Sequence, residues 1–291
     1  MKSRLTLLLL LGTVALGGLS PCTFAQNQLG NKKGPTSKIY VAETVGETQI
    51  ENNGKIYTAR QATSFDAPGT IIETKANSHD AFVYSNGTGM FVDQNSRVEI
   101  SLFAQEPFPS ARSGATPSEP SVSQSHVFVV RGSVSLCTSQ LLSGSTMSYS
   151  TPHAQVNIRR GKVSIQTSAD LTIIALLEGD ITVRTGDKDL GGQILQPGER
   201  ATIRPGSGGL PPSIDISPIP PELLPVLEQQ ANIACNAKKT VTFKTIGKND
   251  AQAPAESEAA GADQEIVANP TVPAKLPSNI TISADRLPGG P

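Results

Sequence analysis

The sequence predicts an all-β protein, with short antiparallel strands closed as a sandwich, a barrel or a β-roll, then one C-terminal helix and a disordered tail. Three observations lead there. Residues 150–203 read as three apolar runs, alternating over much of their length and each bounded by Gly, Pro or Asp, and a period of 2 marks half-buried strands. Composition agrees: 26 Gly and 22 Pro stand against 37% hydrophobic and 4% aromatic residues with no Trp, a balance that favours short β elements and many turns. No amphipathic stretch of helix length interrupts residues 38–203. At 291 residues the chain has room for a substantial core.

The first 25 residues have the layout of a secretory leader. Lys2 and Arg4 form a charged region, Leu5 to Leu19 an apolar one, and Thr23-Phe24-Ala25 a cleavage site before Gln26. The apolar run falls short of the roughly 20 residues a membrane span needs, and Pro21 follows it. Cys22 follows Leu19-Ser20-Pro21, but Pro21 stands where a lipoprotein site has a small residue, so cleavage before Gln26 is expected rather than lipidation. The expected location is therefore extracytoplasmic, periplasmic or at the cell surface, with no membrane span after cleavage. Residues 26–37 are polar and form a flexible lead-in.

From Lys38 the strands begin. Ile39, Val41, Val45, Ile50 and Ile56-Tyr57 lie in short runs broken by Gly46 and by Asn53-Gly54, a strong hairpin signal. Ala67 to Thr74, Ala81 to Tyr84, Met90 to Val92 and Ser96 to Leu102 continue them, with Asn86-Gly87-Thr88-Gly89 as a turn. Residues 105–125 carry Pro107, Pro109, Pro117 and Pro120 among Ser, Ala and Gly and read as a surface loop. Strands resume at His126, pass Arg131-Gly132, and reach Cys137 in the run VSLC. In the next stretch Ala154, Val156 and Ile158 share a face, and after Arg159-Arg160-Gly161 the alternation returns as Val163 and Ile165. Leu171 to Leu177 is nearly all apolar and should be buried on both faces, before Glu178-Gly179-Asp180 turns it into Ile181-Thr182-Val183.

This order of motifs resembles the FecR family, named for the extracytoplasmic domain of iron-citrate signal relay proteins. The likeness runs through Thr151-Pro152, the Arg160-Gly161 step, Leu177-Glu178-Gly179-Asp180 and Leu195-x-Pro197-Gly198-Glu199, and returns earlier in Gly69 to Thr74 and its following strands. It covers residues 38–203. Such a resemblance implies a FecR-like β domain that binds or senses and passes its output through another protein. Family relays add a cytoplasmic segment for a sigma factor and a single span; neither pattern is read here, so the chain looks like a stand-alone exported relative.

Residues 204–218 form a Pro/Gly linker, since seven prolines fall within 205–225, and they are expected to leave the sheet. A helix docking on the β domain is expected within 219–239, with Leu223, Val226, Leu227, Gln230, Ala231 and Ala234 on one face and Lys238 and Lys239 at its negative pole. Residues 240–246 alternate as a possible edge strand, and 247–291 are a disordered tail with apolar pieces at 265–267 and 280–282 able to dock.

Composition excludes more than it assigns. Formal charge is −1, and −3 once Lys2 and Arg4 leave with the leader (24 − 2 = 22 basic against 25 acidic), so no basic field for nucleic acid exists. His79, His126 and His153 are scattered, no Cys pair has metal-ligand spacing, and no nucleophile elbow or phosphate loop occurs. No catalytic residue, metal or cofactor is assigned, and an enzyme is not expected. Arg159 and Arg160 mark either a possible binding surface or a charge-protected strand edge; one of them is placed to pair with a carboxylate such as Glu178. Cys137 and Cys235 would pair in an oxidising compartment, the alternative being two buried thiols. The expected function is a non-enzymatic binding or sensing module acting through an unidentified envelope protein; the alternative is a structural or assembly component of the envelope or surface.

Overall fold

The computed structural model describes residues 37–108, 112–113, 117–185, 191–206, 212–247 and 264–271. The expected leader, nearly all of the lead-in, and the apolar piece at 280–282 lie outside them. The strands are β1 (Lys38–Val45), β2 (Thr48–Asn52), β3 (Lys55–Thr58), β4 (Ser64–Asp66), β5 (Ile71–Thr74), β6 (His79–Tyr84), β7 (Gly89–Val92), β8 (Arg97–Gln105) and β9 (Arg112–Ser113). They continue as β10 (Ser123–Thr138), β11 (Thr146–Ser150), β12 (Gln155–Thr167), β13 (Thr172–Arg184), β14 (Gln193–Leu195), β15 (Glu199–Arg204) and β16 (Ser213–Pro218). Helix α1 (Leu224–Ala237), β17 (Val241–Gly247) and β18 (Gln264–Pro270) complete the described chain.

The large sheet is folded over itself. Its first layer runs β4-β1-β6-β7-β10-β12-β13-β15-β16, using the later halves of β10 and β12 and the earlier half of β13. Its second layer runs β3-β2-β5-β8-β10-β11-β12-β13-β14, using the other halves of the same three strands. All pairings are antiparallel except β10–β11, which is parallel. Of the three closures the sequence leaves open, this is the two-layered one, and no barrel closes among the described residues.

The strands that cross between layers are the long ones, and each carries a glycine near its middle. Gly161 of β12 pairs with Gly179 of β13, at φ +124° and +114°. A Cβ on Gly161 would stand 1.8 Å from the Glu178 carbonyl oxygen, and one on Gly179 would stand 2.1 Å from that of Arg160. Only glycine accepts both the positive φ and the backbone approach, so these residues bend two paired strands without ending them. The sequence reading took Glu178-Gly179-Asp180 as a turn between separate strands; the chain goes straight on as β13.

One apolar cluster fills the space between the layers, drawing Phe82, Met90, Leu136 and Ile165 from the first and Ile72, Ile100, Val127 and Val156 from the second. The outer face of the first layer is also covered. Helix α1 packs there against Phe91 and Cys137, while β17, flanked by β18 and β9, lays Val241 and Phe243 with Phe108 over Tyr40, Ala42, Ala81 and Val83.

Four expectations change. Residues 213–218 remain in the sheet as β16; an edge strand bonds on one side only, so Pro212 and Pro218 at its ends are tolerated. Residues 241–247 form the central strand of the small sheet, not an edge, because 264–270 of the expected tail pairs with them. The stretch 105–125 is anchored rather than merely a surface loop: Phe108 and Glu119 are buried, and Ser123 already opens β10. Helix α1 buries Ala231, Ala234 and Ala237 while Leu223 and Val226 are exposed, because its close approach is made where Gly89 leaves no Cβ between β7 and the Ala234 carbonyl. The closest packing thus selects alanine over leucine.

Candidate binding cleft

Three fixtures hold α1. The first is the disulfide between Cys137 of β10 and Cys235, whose Cα atoms are 5.1 Å apart across 98 residues of sequence. The second is Gln230, whose Nε2 donates to Asp93 Oδ2 at 2.9 Å and whose Oε1 accepts from Ser135 Oγ at 3.3 Å. The third lies just past the helix, where Lys238 Nζ donates to Ser139 Oγ at 2.9 Å. The disulfide and the Lys238–Ser139 pair are neighbours: Ser139 follows Cys137 by two residues, just past the end of β10, and Lys238 follows Cys235 by three at the helix end.

Beside this seam opens a cleft of about 300 Å³. Lys238, Ser139 and Gln140 line it together with Arg160, Glu178 and the Gly161/Gly179 crossing. Lys238 is 8% exposed, and burial lowers its ammonium pKa to about 8. No salt bridge among the described residues involves Lys238 or Arg160. Glu178 is mostly exposed and pairs with Lys162 at 3.4 Å, so the partner expected for an arginine belongs to a lysine. Two cations thus face a cleft whose one carboxylate is already shared.

Gln140 is the wall between this cleft and a second of about 520 Å³, lined by residues 140–147 with Asn157, Ile158 and Arg159. The Gln140 N–H donates to the Pro117 carbonyl at 2.9 Å, and the Glu119 N–H donates to the Gln140 carbonyl at 3.0 Å. Glu119 then fastens the far side, accepting from Leu142 N–H at 2.7 Å, from Ser123 Oγ at 2.6 Å and from Ser145 Oγ. Burial is the largest influence on its carboxyl and raises its pKa, against the hydroxyls and the amide that lower it. The Pro- and Ser-rich stretch therefore props the wall between the two clefts.

Arg159 and Arg160 are both exposed, because the β12–β13 register slips between Ile158 and Arg160 and so defeats the alternation that would set them on opposite faces. They flank the Gln140 wall, one in each cleft. The histidines do not converge: His153 is buried between Thr172 Oγ1 at 3.0 Å and the Ala169 carbonyl at 3.2 Å, His126 meets Ser148 Oγ at 2.8 Å, and His79 stacks near Phe91.

No family model matches the chain. Neither does any curated protein. Two crystal structures of a proposed anti-sigma factor from Parabacteroides distasonis are similar to it, at 13% and 12% identity and a TM-score of 0.40. The match covers 55% of this chain and 64% of theirs, and at that score no argument rests on it.

Lys238 stands at the helix end, where the sequence places it, as the C-cap of α1; what the sequence reading missed is its burial. Its signal was present: with Ala231 and Ala234 it has the spacing i, i+3, i+7, which puts it on the buried face. Its 2.9 Å contact with Ser139 has the length of a serine–lysine catalytic pair. In this contact the lysine ammonium donates to the Ser139 hydroxyl, and burial lowers its pKa to about 8.

Proposed function

We propose that this protein is a non-enzymatic binding or sensing module of the kind the FecR resemblance implies, working outside the cytoplasm and passing its output to a partner protein. The observation that carries the reading is that the polar cleft is closed by Lys238, at the end of α1. That helix is bolted to the strand forming the cleft's other side, so whatever occupies the cleft bears on an element presented at the surface. The disulfide supports the location, because such bonds persist in oxidising compartments and are rare in the cytosol. Recovery of the native protein with its partners from the producing cell's envelope fraction is the test. A defined partner that binds the wild type and is lost from Cys137→Ser/Cys235→Ser supports the reading; the same proteins recovered from blank resin, or turnover of a substrate by the purified chain, would sink it.

A further inference from the structure

We infer that the 300 Å³ cleft is an oxyanion site, taking the carboxylate or phosphate group of a small hydroxylated molecule between Lys238 and Arg160. The inference rests on reading the cleft as a binding site and names what enters it. Its volume lies at the small end of the range for ligand pockets, about 300–1,000 Å³. Lys238 is 8% exposed, and its ammonium gives one of three donors to Ser139. A buried cation without a paired carboxylate is costly in an unliganded protein and gains most from an anion that arrives with its own charge. Arg160 stands at the mouth, exposed, with a planar fork suited to the same two oxygens. The rest of the wall is polar rather than apolar, with Thr138 Oγ1 accepting from the Gly161 N–H at 2.9 Å and Gln140 Nε2 donating to the Leu141 carbonyl at 3.4 Å, which suits a hydroxylated carrier.

The charged groups facing Lys238 set the limits of this site. From β12 the lining supplies Arg160, and from β13 Glu178, whose charge Lys162 shares at 3.4 Å. One anionic group is therefore matched and a second would meet Glu178. As pH rises through about 8 the lysine loses its proton, and affinity falls with it.

Isothermal titration of the purified protein with inorganic phosphate, D-glucuronate and D-glucose at equal ionic strength separates the sources. Saturable one-to-one binding of phosphate or of glucuronate, with none of glucose, is expected, and which anion binds identifies the oxyanion. Arg160→Gln, a surface change that leaves the fold intact, should weaken the bound anion at least tenfold, Lys238→Met should abolish it, and Glu178→Gln should tighten it severalfold. Absence of saturable binding by both anions, or equal affinity in wild type and Arg160→Gln, would overturn the inference. If partner recovery from the envelope survived that result, the binding-module reading would stand without an oxyanion; if recovery failed too, both would fall.

Discussion

The two layers of the large sheet are built by the same strands and obey different rules, and β10 shows both within its 16 residues. From Ser123 to Val130 it alternates buried and half-buried, because one side meets the core and the other meets water; from Val134 to Thr138 every residue is buried. The change falls at Gly132, where the strand passes from the second layer to the first. Strands β6 and β7, wholly in the first layer, are buried almost throughout, whereas β5 and most of β8 alternate. The first layer differs because α1 and the small sheet cover its outer face. A period of 2 thus reports one covered face, and its loss inside a strand reports a second cover.

The largest effect should come from breaking the passage between layers. Gly161→Ala would drive a Cβ into the Glu178 carbonyl at a φ that L residues avoid, so we expect a loss of about 4 kcal/mol or more, or failure to fold. Gly54→Ala, in the hairpin of the second layer with nothing within 4 Å, shares only the positive φ and should lose about 1 kcal/mol. Denaturant midpoints of the two variants test the contrast. Equal losses would show that the crossing glycines serve as ordinary turn residues.

Next comes the cover itself. Replacing both Cys137 and Cys235 by Ala removes a cross-link spanning 98 residues. For a loop of that order chain entropy assigns about 5 kcal/mol. The loss should be uneven: amide protons of α1 should lose protection from exchange, whereas those of β8 and β11 in the second layer keep theirs. Uniform loss across both layers would show that the helix is part of the core rather than a lid over one face.

The comparison also explains what was legible in the sequence. Where one face met water, in β8 and in the halves of β10 and β12 beside β11, the alternation of Val98 with Ile100, of Val127 with Val129, and of Val156 with Ile158 located the strands. The pairing of Cys137 with Cys235 was legible from compartment chemistry. What escaped was carried by backbone geometry and by distant segments. Gly179 read as a turn because a lone sequence does not show that it opposes Gly161, and 213–218 read as linker because the open edge of β15 is not local information. The burial of Lys238 escaped because a charge at a helix end has a ready local explanation in the dipole, whereas that burial depends on Gly89, 149 positions earlier.

The smallest effect concerns that lysine, and its sign separates the covered face from the exposed one. Its pKa falls from 10.5 to about 8 in the folded chain, so between those values the unfolded state holds a proton that the native state has shed. Stability must then rise with pH across that window, by up to about 3 kcal/mol for a shift of this size, while below pH 8 both states are charged and the penalty is constant. Above pH 10 the buried tyrosines Tyr84 and Tyr149 act oppositely: burial is the main cause that raises both, so the native state keeps protons that the unfolded state loses, and stability falls. Lys238→Met keeps the stem over Gly89 and removes the charge. It should raise stability at pH 7 by about 1 to 3 kcal/mol, erase the rise above pH 8, leave the fall above pH 10, and abolish oxyanion binding in the same protein. Urea midpoints at pH 7, 8, 9 and 10 decide it. A wild-type midpoint flat over that range would show that water reaches the ammonium, and the face under α1 would then be no better covered at this end than the open face of the second layer.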